Sequence, residues 1–121
     1  HARSVATASV VGHLIGLGDR HLDNVLVNLT TGAVVHIDYN VSFDRGLTLP
    51  VPEVVPFRLT PAGVAALGPT ETYGPFRCAA EATLVALRRL PARQALLGSL
   101  ELLTRDPLME WVDDGAAGQK G

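Results

Sequence analysis

The feature that most constrains the fold is a pair of short apolar runs separated by three turn-forming residues. Residues 25–29 and 33–37 are rich in β-branched side chains, and Thr-Thr-Gly at 30–32 stands between them. A three-residue loop that ends in a left-handed glycine commonly joins two antiparallel strands. The sequence therefore predicts a β-hairpin centred on Thr31, with Gly32 in the left-handed position.

Two polar residues flank this hairpin at its open end. Centring the strands on Thr31 places Asn24 opposite Asp38, just beyond the apolar runs. An amide oxygen and a carboxylate are hard ligands, and Mg²⁺ binds one or two such groups together with phosphate and water. We therefore predict a divalent-metal site at Asn24 and Asp38. The alternative, that both are only turn residues beside a hairpin, leaves Asp19 and His21 unexplained.

The segment before the hairpin has the spacing of a phosphoryl-transfer site. Asp19 lies five residues before Asn24. In kinase catalytic loops, the Asp that meets the hydroxyl nucleophile precedes a metal-binding Asn by the same interval. A metallophosphoesterase is a weaker interpretation of the same run. Such enzymes bind two metals through several further His and Asp clusters, whereas this chain has only four histidines.

Three motifs carry a resemblance to a known family. Residues 18–24, Gly-Asp-Arg-His-Leu-Asp-Asn, resemble the catalytic loop of the phosphatidylinositol 3-kinase-related superfamily, which has Asp-Arg-His where ordinary protein kinases have His-Arg-Asp. Residues 36–40, His-Ile-Asp-Tyr-Asn, resemble its metal-binding loop, and residues 55–60 resemble the end of the activation loop in its protein-kinase branch. The triplet at 38–40 departs from the usual Asp-Phe-Gly and resembles the branch that acts in nonsense-mediated mRNA decay. The resemblance extends over residues 4–111.

The resemblance implies roles for individual residues. Asp19 would orient and deprotonate a substrate hydroxyl, and His21 would lie near the γ-phosphate of ATP. Asn24 and Asp38 would hold the Mg²⁺ (or Mn²⁺) ions that bridge the ATP phosphates. Two further groups are expected to support the catalytic loop and to form the activation segment, namely Gly18, Arg20 and Asp23, and Arg45, Pro56, Phe57 and Arg58.

The resemblance also implies an α+β, mainly helical fold: the C-terminal lobe of a protein-kinase-like domain with a small β-hairpin that carries the metal loop. The expected parts are a partial catalytic domain at 1–112, comprising catalytic loop 16–26, metal loop 36–40, activation segment 41–58 and C-terminal helices 60–111, and a flexible tail at 113–121. A kinase grips ATP with a lysine on its nucleotide lobe, but Lys120 is the only lysine. Since the chain also begins with His1, we expect a fragment that lacks the nucleotide lobe.

Capping residues and leucine spacing predict the helices. One is capped by Ser4 and ends near Ile15, and another is capped by Thr60 and closed by Gly68. Further helices are expected to begin at Pro75 and Pro91, with a short docking helix at 108–111. The side chains expected to face inward from the two long C-terminal helices are Phe76, Ala80, Leu84, Leu87, Leu90, Leu96, Leu97, Leu100 and Leu103.

Composition narrows the function classes. Hydrophobic residues make up 47% of the 121 and charged ones 18%, which indicates a globular chain. The net charge is −2 and the basic residues are scattered, so neither direct nucleic-acid binding nor a membrane surface is indicated. Cys78 is the single cysteine, which excludes an internal disulfide and suits an intracellular setting, nucleus or cytoplasm. Its apolar helical surroundings predict a buried position.

Segment 41–58 favours a protein substrate over a phosphoinositide. A lipid head group carries several phosphates, and binding it needs clustered Lys and Arg. The only basic residues of the segment are Arg45 and Arg58, while Asp44 and Glu53 offset their charge. Its remainder is apolar and Pro-rich, which suits an extended peptide. The resemblance implies a protein Ser or Thr followed by Gln, in nonsense-mediated mRNA decay or a related RNA or DNA surveillance pathway.

Two alternatives remain open for the function. One is a phosphoinositide lipid kinase, and the other is a catalytically dead fragment or scaffold of the same superfamily. The partners that the resemblance implies are the protein substrate, the missing nucleotide lobe and the helical-repeat regions of a longer parent chain. Because the ATP-gripping lysine is missing, we expect the isolated chain to be inactive.

Overall fold

A computed structural model describes residues 1–43 and 45–105. Its helices are α1 (Ala2–Leu14), α2 (Pro61–Ala66), α3 (Pro75–Arg88) and α4 (Leu90–Thr104), and its strands are β1 (Val25–Val27) and β2 (Val34–His36). Short 3-10 turns lie at Leu22–Asn24, Arg45–Thr48 and Glu71–Tyr73. The two strands form one antiparallel sheet. The expected fold class, mainly helical with a small hairpin, is confirmed for the described residues.

The chain divides into two compact units, His1–Ala86 and Leu87–Gly121. The core of the first unit is small: Ala6, Leu67 and Phe76 are buried, and they come from α1, the end of α2 and α3. Phe57 packs at its edge, with its ring centroid 6.4 Å from that of Phe76. No helix among the described residues is long and apolar enough to cross a membrane.

Helix α1 begins three residues earlier than the sequence predicts. It starts at Ala2 with His1 at the N-cap, and it ends at Leu14. Ser4 lies inside the first turn, where its hydroxyl accepts a hydrogen bond from Val34 N at 2.8 Å and donates to Val34 O at 3.4 Å. The predicted cap at Ser4 is therefore wrong, because the hydroxyl satisfies a strand in place of a helix end.

The predicted hairpin exists, but its predicted register is wrong by one residue. Val25 pairs with His36 and Val27 with Val34. The loop has four residues, 29–32, because Asn28 N donates to Ala33 O at 2.8 Å. An even loop shifts every pair relative to an odd one, and each side chain changes its partner. Gly32 does adopt the predicted left-handed conformation, with φ of 71°.

The loop is lengthened by a side chain that competes with the backbone. Asn28 Oδ1 accepts hydrogen bonds from Thr30 N at 2.9 Å and Thr31 N at 3.0 Å, which is an Asx turn. At the other end of the hairpin, Ile37 N donates to Asn24 O at 3.0 Å. Asn24 therefore lies opposite Ile37 and not opposite Asp38.

Helices α2 and α3 begin where the sequence predicts. Thr60 caps α2 by accepting a hydrogen bond from Gly63 N at 3.1 Å, Pro61 is its first residue, and Gly68 follows with φ of 99°. Helix α3 begins at Pro75. Both starts follow from local sequence, since a Thr or Gly precedes a Pro at the first helical position.

Burial of the C-terminal helices departs from the prediction. Phe76 is buried, but Cys78 is exposed, and Leu84, Leu90, Leu97 and Leu103 are 41, 65, 49 and 46% exposed. Leu87, Leu96 and Leu100 are half-buried. Periodicity identifies an apolar face, whereas burial also needs a second surface to cover it. The predicted docking helix at 108–111 and the tail at 113–121 lie outside the described residues.

Candidate functional site

The turn after α1 sets the backbone position of Asp19. Leu17 N donates to Gly12 O at 2.8 Å, which closes the helix end. Gly16 then adopts φ of 58° and Asp19 φ of 55°. Glycine reaches this left-handed region without steric cost, and Asp tolerates it better than most residues do. These two residues reverse the chain between α1 and the hairpin.

Segment 41–58 holds this turn through its own backbone. Gly18 N donates to Val41 O at 2.8 Å, and Phe43 N donates to Ile15 O at 2.8 Å. These bonds join the residues before Asp19 to the residues directly after the metal loop. The predicted catalytic loop and the predicted activation segment are therefore connected by main-chain hydrogen bonds.

Arg20 connects the catalytic loop to the metal loop. The side chain is buried, and its guanidinium donates to Gly18 O at 2.7 Å and to Asn24 O at 3.3 Å within its own loop. It also donates to Ile37 O at 2.7 Å and to Asp38 O. A planar guanidinium can serve several carbonyls at fixed angles. Arg20 therefore links the two predicted loops in addition to the strand pairing of Val25 with His36.

Asn24 brings the predicted catalytic residues together. Its side chain is buried, and Nδ2 donates to Asp19 O at 2.8 Å and to His21 Nε2 at 3.0 Å. Since Nε2 accepts in this arrangement, the neutral ring carries its proton on Nδ1. His21 Nε2 lies 3.8 Å from Asp19 Oδ2, and Nδ1 lies 4.0 Å from Asp23 Oδ2. Asp19, His21 and Asn24 thus form one cluster, with Asp23 at its exposed edge.

Asp38 lies in the middle of the predicted metal loop in a left-handed conformation, with φ of 59°. Its Oδ1 accepts a hydrogen bond from Asn40 N at 3.1 Å. The next residues are held by their carbonyls, since Ser42 Oγ donates to Tyr39 O at 2.7 Å and Arg45 donates to Asn40 O at 3.2 Å. The Asp38 carboxylate is exposed, and hydrogen bonds fix the backbone of the residues that follow it.

The donor chemistry of Asn24 and Asp38 fits a magnesium or manganese ion. Both side chains offer oxygen, and Asn24 Nδ2 is occupied by its bonds to Asp19 and His21, which leaves the amide oxygen as the ligand atom. Among the described residues no cluster of three or more His, Cys, Asp or Glu could hold a metal. A cation bound by these two residues would complete its coordination with phosphate and water.

The remaining activation-segment residues differ in their exposure. Arg45 begins a 3-10 turn, Pro56 and Arg58 are exposed, and Phe57 is half-buried at the core. Arg58 and His21 both line a cavity of about 180 Å³. The cavity is mostly apolar, with α1 and the hairpin forming its other walls.

His36 is a half-buried polar side chain that the sequence interpretation did not single out. Its Nδ1 is buried and has no hydrogen-bond partner among the described residues. Burial lowers the pKa of His36, and the positive charge of Arg20 lowers it further. The ring is therefore neutral at neutral pH, so it adds no positive charge next to the Arg20 guanidinium.

Glu53 is a site residue that the sequence interpretation missed. The sequence shows it only as a charge that offsets Arg45 and Arg58. Its carboxylate accepts a hydrogen bond from Asp19 N, at 2.9 Å from Oε1 and 3.2 Å from Oε2. No local pattern in the sequence signals this contact, because its partners are 34 residues apart. In the structure, Gly18 and Gly46 leave room for the carboxylate, since a Cβ on Gly18 would overlap Oε2.

Comparisons with known proteins identify the family. A family model described as phosphatidylinositol 3- and 4-kinase matches residues 1–113. Serine/threonine-protein kinase SMG1 of Danio rerio is 52% identical over 121 residues, which is 100% of this chain and 3% of that protein. Serine/threonine-protein kinase tel1 of Schizosaccharomyces pombe is 51% identical over 112 residues, which is 93% of this chain and 4% of that protein.

A solved structure described as the FAT and kinase domain of CtTel1 has the same fold. The TM-score is 0.83 and the identity 47%, over 91% of this chain and 8% of that chain. This chain therefore spans only a small part of the relatives that it matches. The match nevertheless covers nearly all of its own residues, including every motif described above. The chain belongs to the phosphatidylinositol 3- and 4-kinase family, and its relatives there are the PIK-related serine/threonine-protein kinases.

Proposed function

We propose that this chain forms part of the catalytic centre of an ATP-dependent serine/threonine protein kinase, which transfers the γ-phosphate of ATP to a protein hydroxyl. The observation that carries the proposal is the Asp19, His21 and Asn24 cluster, joined through Arg20 to the loop of Asp38. Relatives named as serine/threonine-protein kinases match the chain over at least nine-tenths of its length. These points support the same reaction class.

Each clustered residue has a role that its surroundings suit. The Asp19 carboxylate is half exposed, so it can accept the proton of an approaching Ser or Thr hydroxyl. His21 is oriented by Asn24 and keeps its Nδ1 proton on the side of Asp23, which lets the ring stabilise charge near the transferred group. Asn24 and Asp38 hold the metal–ATP complex, and the Mg²⁺ (or Mn²⁺) supplies charge neutralisation of the phosphates.

The segment after the metal loop supports a protein substrate. Val51, Val54 and Val55 are 81, 83 and 65% exposed, so the segment presents an apolar surface. An extended peptide can lie against such a surface, whereas a phosphoinositide head group needs clustered cations. We propose a Ser or Thr followed by Gln as the accepted sequence, and nonsense-mediated mRNA decay as the process, within the nucleus or cytoplasm. The alternative is a phosphoinositide kinase.

The experiment uses full-length zebrafish SMG1 in which these 121 residues replace the matched stretch. The chimera is given ATP and Mg²⁺ with either a Ser-Gln peptide or phosphoinositide vesicles. We expect peptide labelling, with Asp19→Asn and Asp38→Ala each reducing kcat by about a thousandfold or more. Glu81→Gln, on the exposed side of α3, is the matched control and should leave kcat unchanged. Labelling of lipid alone, or full activity of Asp19→Asn, would contradict the proposal.

A further inference from the structure

Glu53 makes a contact that its place in the sequence does not explain. It lies 34 residues after Asp19, in the irregular segment that follows the 3-10 turn at Arg45–Thr48. Its own backbone is fixed, because Glu53 N donates to Gly46 O at 3.0 Å. Its side chain then reaches back to the turn after α1. Because the backbone of Glu53 is fixed, its carboxylate can hold the group that it binds in place.

Two glycines make room for this carboxylate. A Cβ on Gly18 would overlap Glu53 Oε2, and a Cβ on Gly46 would lie 2.8 Å from the same atom, which is closer than van der Waals contact allows. The carboxylate therefore occupies a slot between the catalytic loop and the 3-10 turn. Neither glycine has a positive φ there, so the absence of a side chain, and not backbone freedom, is what each contributes.

The group that the carboxylate binds is the backbone of the proposed base. Asp19 is held at φ of 55°, a conformation that costs energy for a residue with a Cβ and persists only when its surroundings fix it. The Asp19 N–H donates to a charged acceptor, and such bonds are roughly twice as strong as neutral ones. On the other side of the same residue, Asp19 O accepts from Asn24 Nδ2 at 2.8 Å.

We propose that Glu53 is a positioning residue for phosphoryl transfer: it fixes the backbone of Asp19, so that the order of segment 45–53 sets the orientation of the base. The inference rests on the proposed function, because it assigns a role through Asp19. Glu53 itself touches neither substrate nor nucleotide in this account. A small displacement of a catalytic group can cost about a hundredfold in rate. We therefore expect loss of the Glu53 contact to lower kcat.

The test uses the SMG1 chimera described above and measures kcat and KM separately. We expect Glu53→Ala to lower kcat about tenfold to a hundredfold, with KM for ATP and for peptide changed less than about twofold. Glu53→Gln retains an oxygen acceptor without the charge, and it should recover part of that loss. Glu81→Gln removes a carboxylate from an exposed helical position and is the control.

A second variant moves the carboxylate without removing it. Gly46→Ala places a methyl group against Glu53 Oε2, the far end of a flexible side chain, so the carboxylate shifts while the fold is retained. We expect Gly46→Ala to lower kcat severalfold alone and to have no further effect in the Glu53→Ala background. Hydrogen exchange of residues 16–22, measured by mass spectrometry, should become faster in the Glu53→Ala and Gly46→Ala variants.

The outcomes separate this inference from the proposed function. If Asp19→Asn abolishes labelling while Glu53→Ala keeps kcat within about twofold, only the role of Glu53 is overturned. A Glu53→Ala variant that loses thermal stability and raises KM without lowering kcat would also overturn it, since that pattern indicates a structural role. Full activity of Asp19→Asn would overturn the proposed function itself.

Discussion

The predicted catalytic and metal loops differ from the C-terminal helices in the kind of interaction that holds them. In the loops, directional hydrogen bonds to backbone atoms fix each residue, and Arg20 and Asn24 are buried with these bonds satisfied. In α3 and α4, regular helices leave much of their leucine surface exposed. Directional bonds place a group to within a fraction of an ångström, whereas apolar burial only requires a covering surface. The residues of the two loops are therefore positioned more accurately than the side chains of α3 and α4.

The largest effect on stability is expected in the helical region, at Phe76, the buried aromatic side chain of α3. Phe76→Ala should lower the free energy of unfolding by about 4 kcal/mol, because it removes an aromatic ring from a small core and leaves a cavity. Urea unfolding of the 121-residue chain measures this value. Leu84→Ala, on the same helix but 41% exposed, is the control. Equal losses of stability for both variants would mean that Phe76 and Leu84 are equally buried, which would contradict their exposures of 8 and 41%.

Arg20→Met should destabilise the chain by about 3 kcal/mol, because buried carbonyls lose a charged donor that apolar volume cannot replace. The same urea titration gives the value. Arg93→Met, at an exposed position on α4, should change the free energy by less than about 0.5 kcal/mol. A loss at Arg20 no larger than at Arg93 would remove the energetic basis for the distinction between the two regions.

Thr60→Ala tests the start of α2, directly after the predicted activation segment. It should cost about 1 kcal/mol, because Gly63 N loses the hydroxyl that caps the helix. The midpoint of urea unfolding should fall accordingly. Thr60→Ser keeps the hydroxyl and should retain most of the stability. If the Ser and Ala variants behave alike, the cap contributes through the methyl group and not through the hydrogen bond.

The smallest effect is expected on the exposed face of α4. Leu102→Gln should change the free energy of unfolding by no more than about 0.5 kcal/mol, because the side chain is 73% exposed and Gln is a good helix former. Thermal unfolding followed by circular dichroism suffices as the measurement. A loss of several kcal/mol would contradict this expectation and would indicate that this face of α4 is covered in the folded chain.

Several features of the fold and the candidate site were predictable from local sequence. Thr60 before Pro61 and Gly74 before Pro75 predict helix starts that the structure confirms, because capping and the fixed φ of proline act within a few residues. Gly32 adopts the predicted left-handed turn for the same reason. The motif at 18–24 likewise identified the family without any structural information.

Other features depended on contacts that no local pattern contains. The hairpin register was wrong because the side chain of Asn28 binds two loop amides and adds a residue to the turn. Ser4 caps no helix because Val34, 30 residues away, occupies its hydroxyl. Glu53 was missed because its partner is an amide 34 residues earlier. The sequence by itself determined the family and the starts of α2 and α3, since motifs, propensity and capping are local. The tertiary structure decided register, burial and the support of Asp19, since these depend on groups that approach only when the chain has folded.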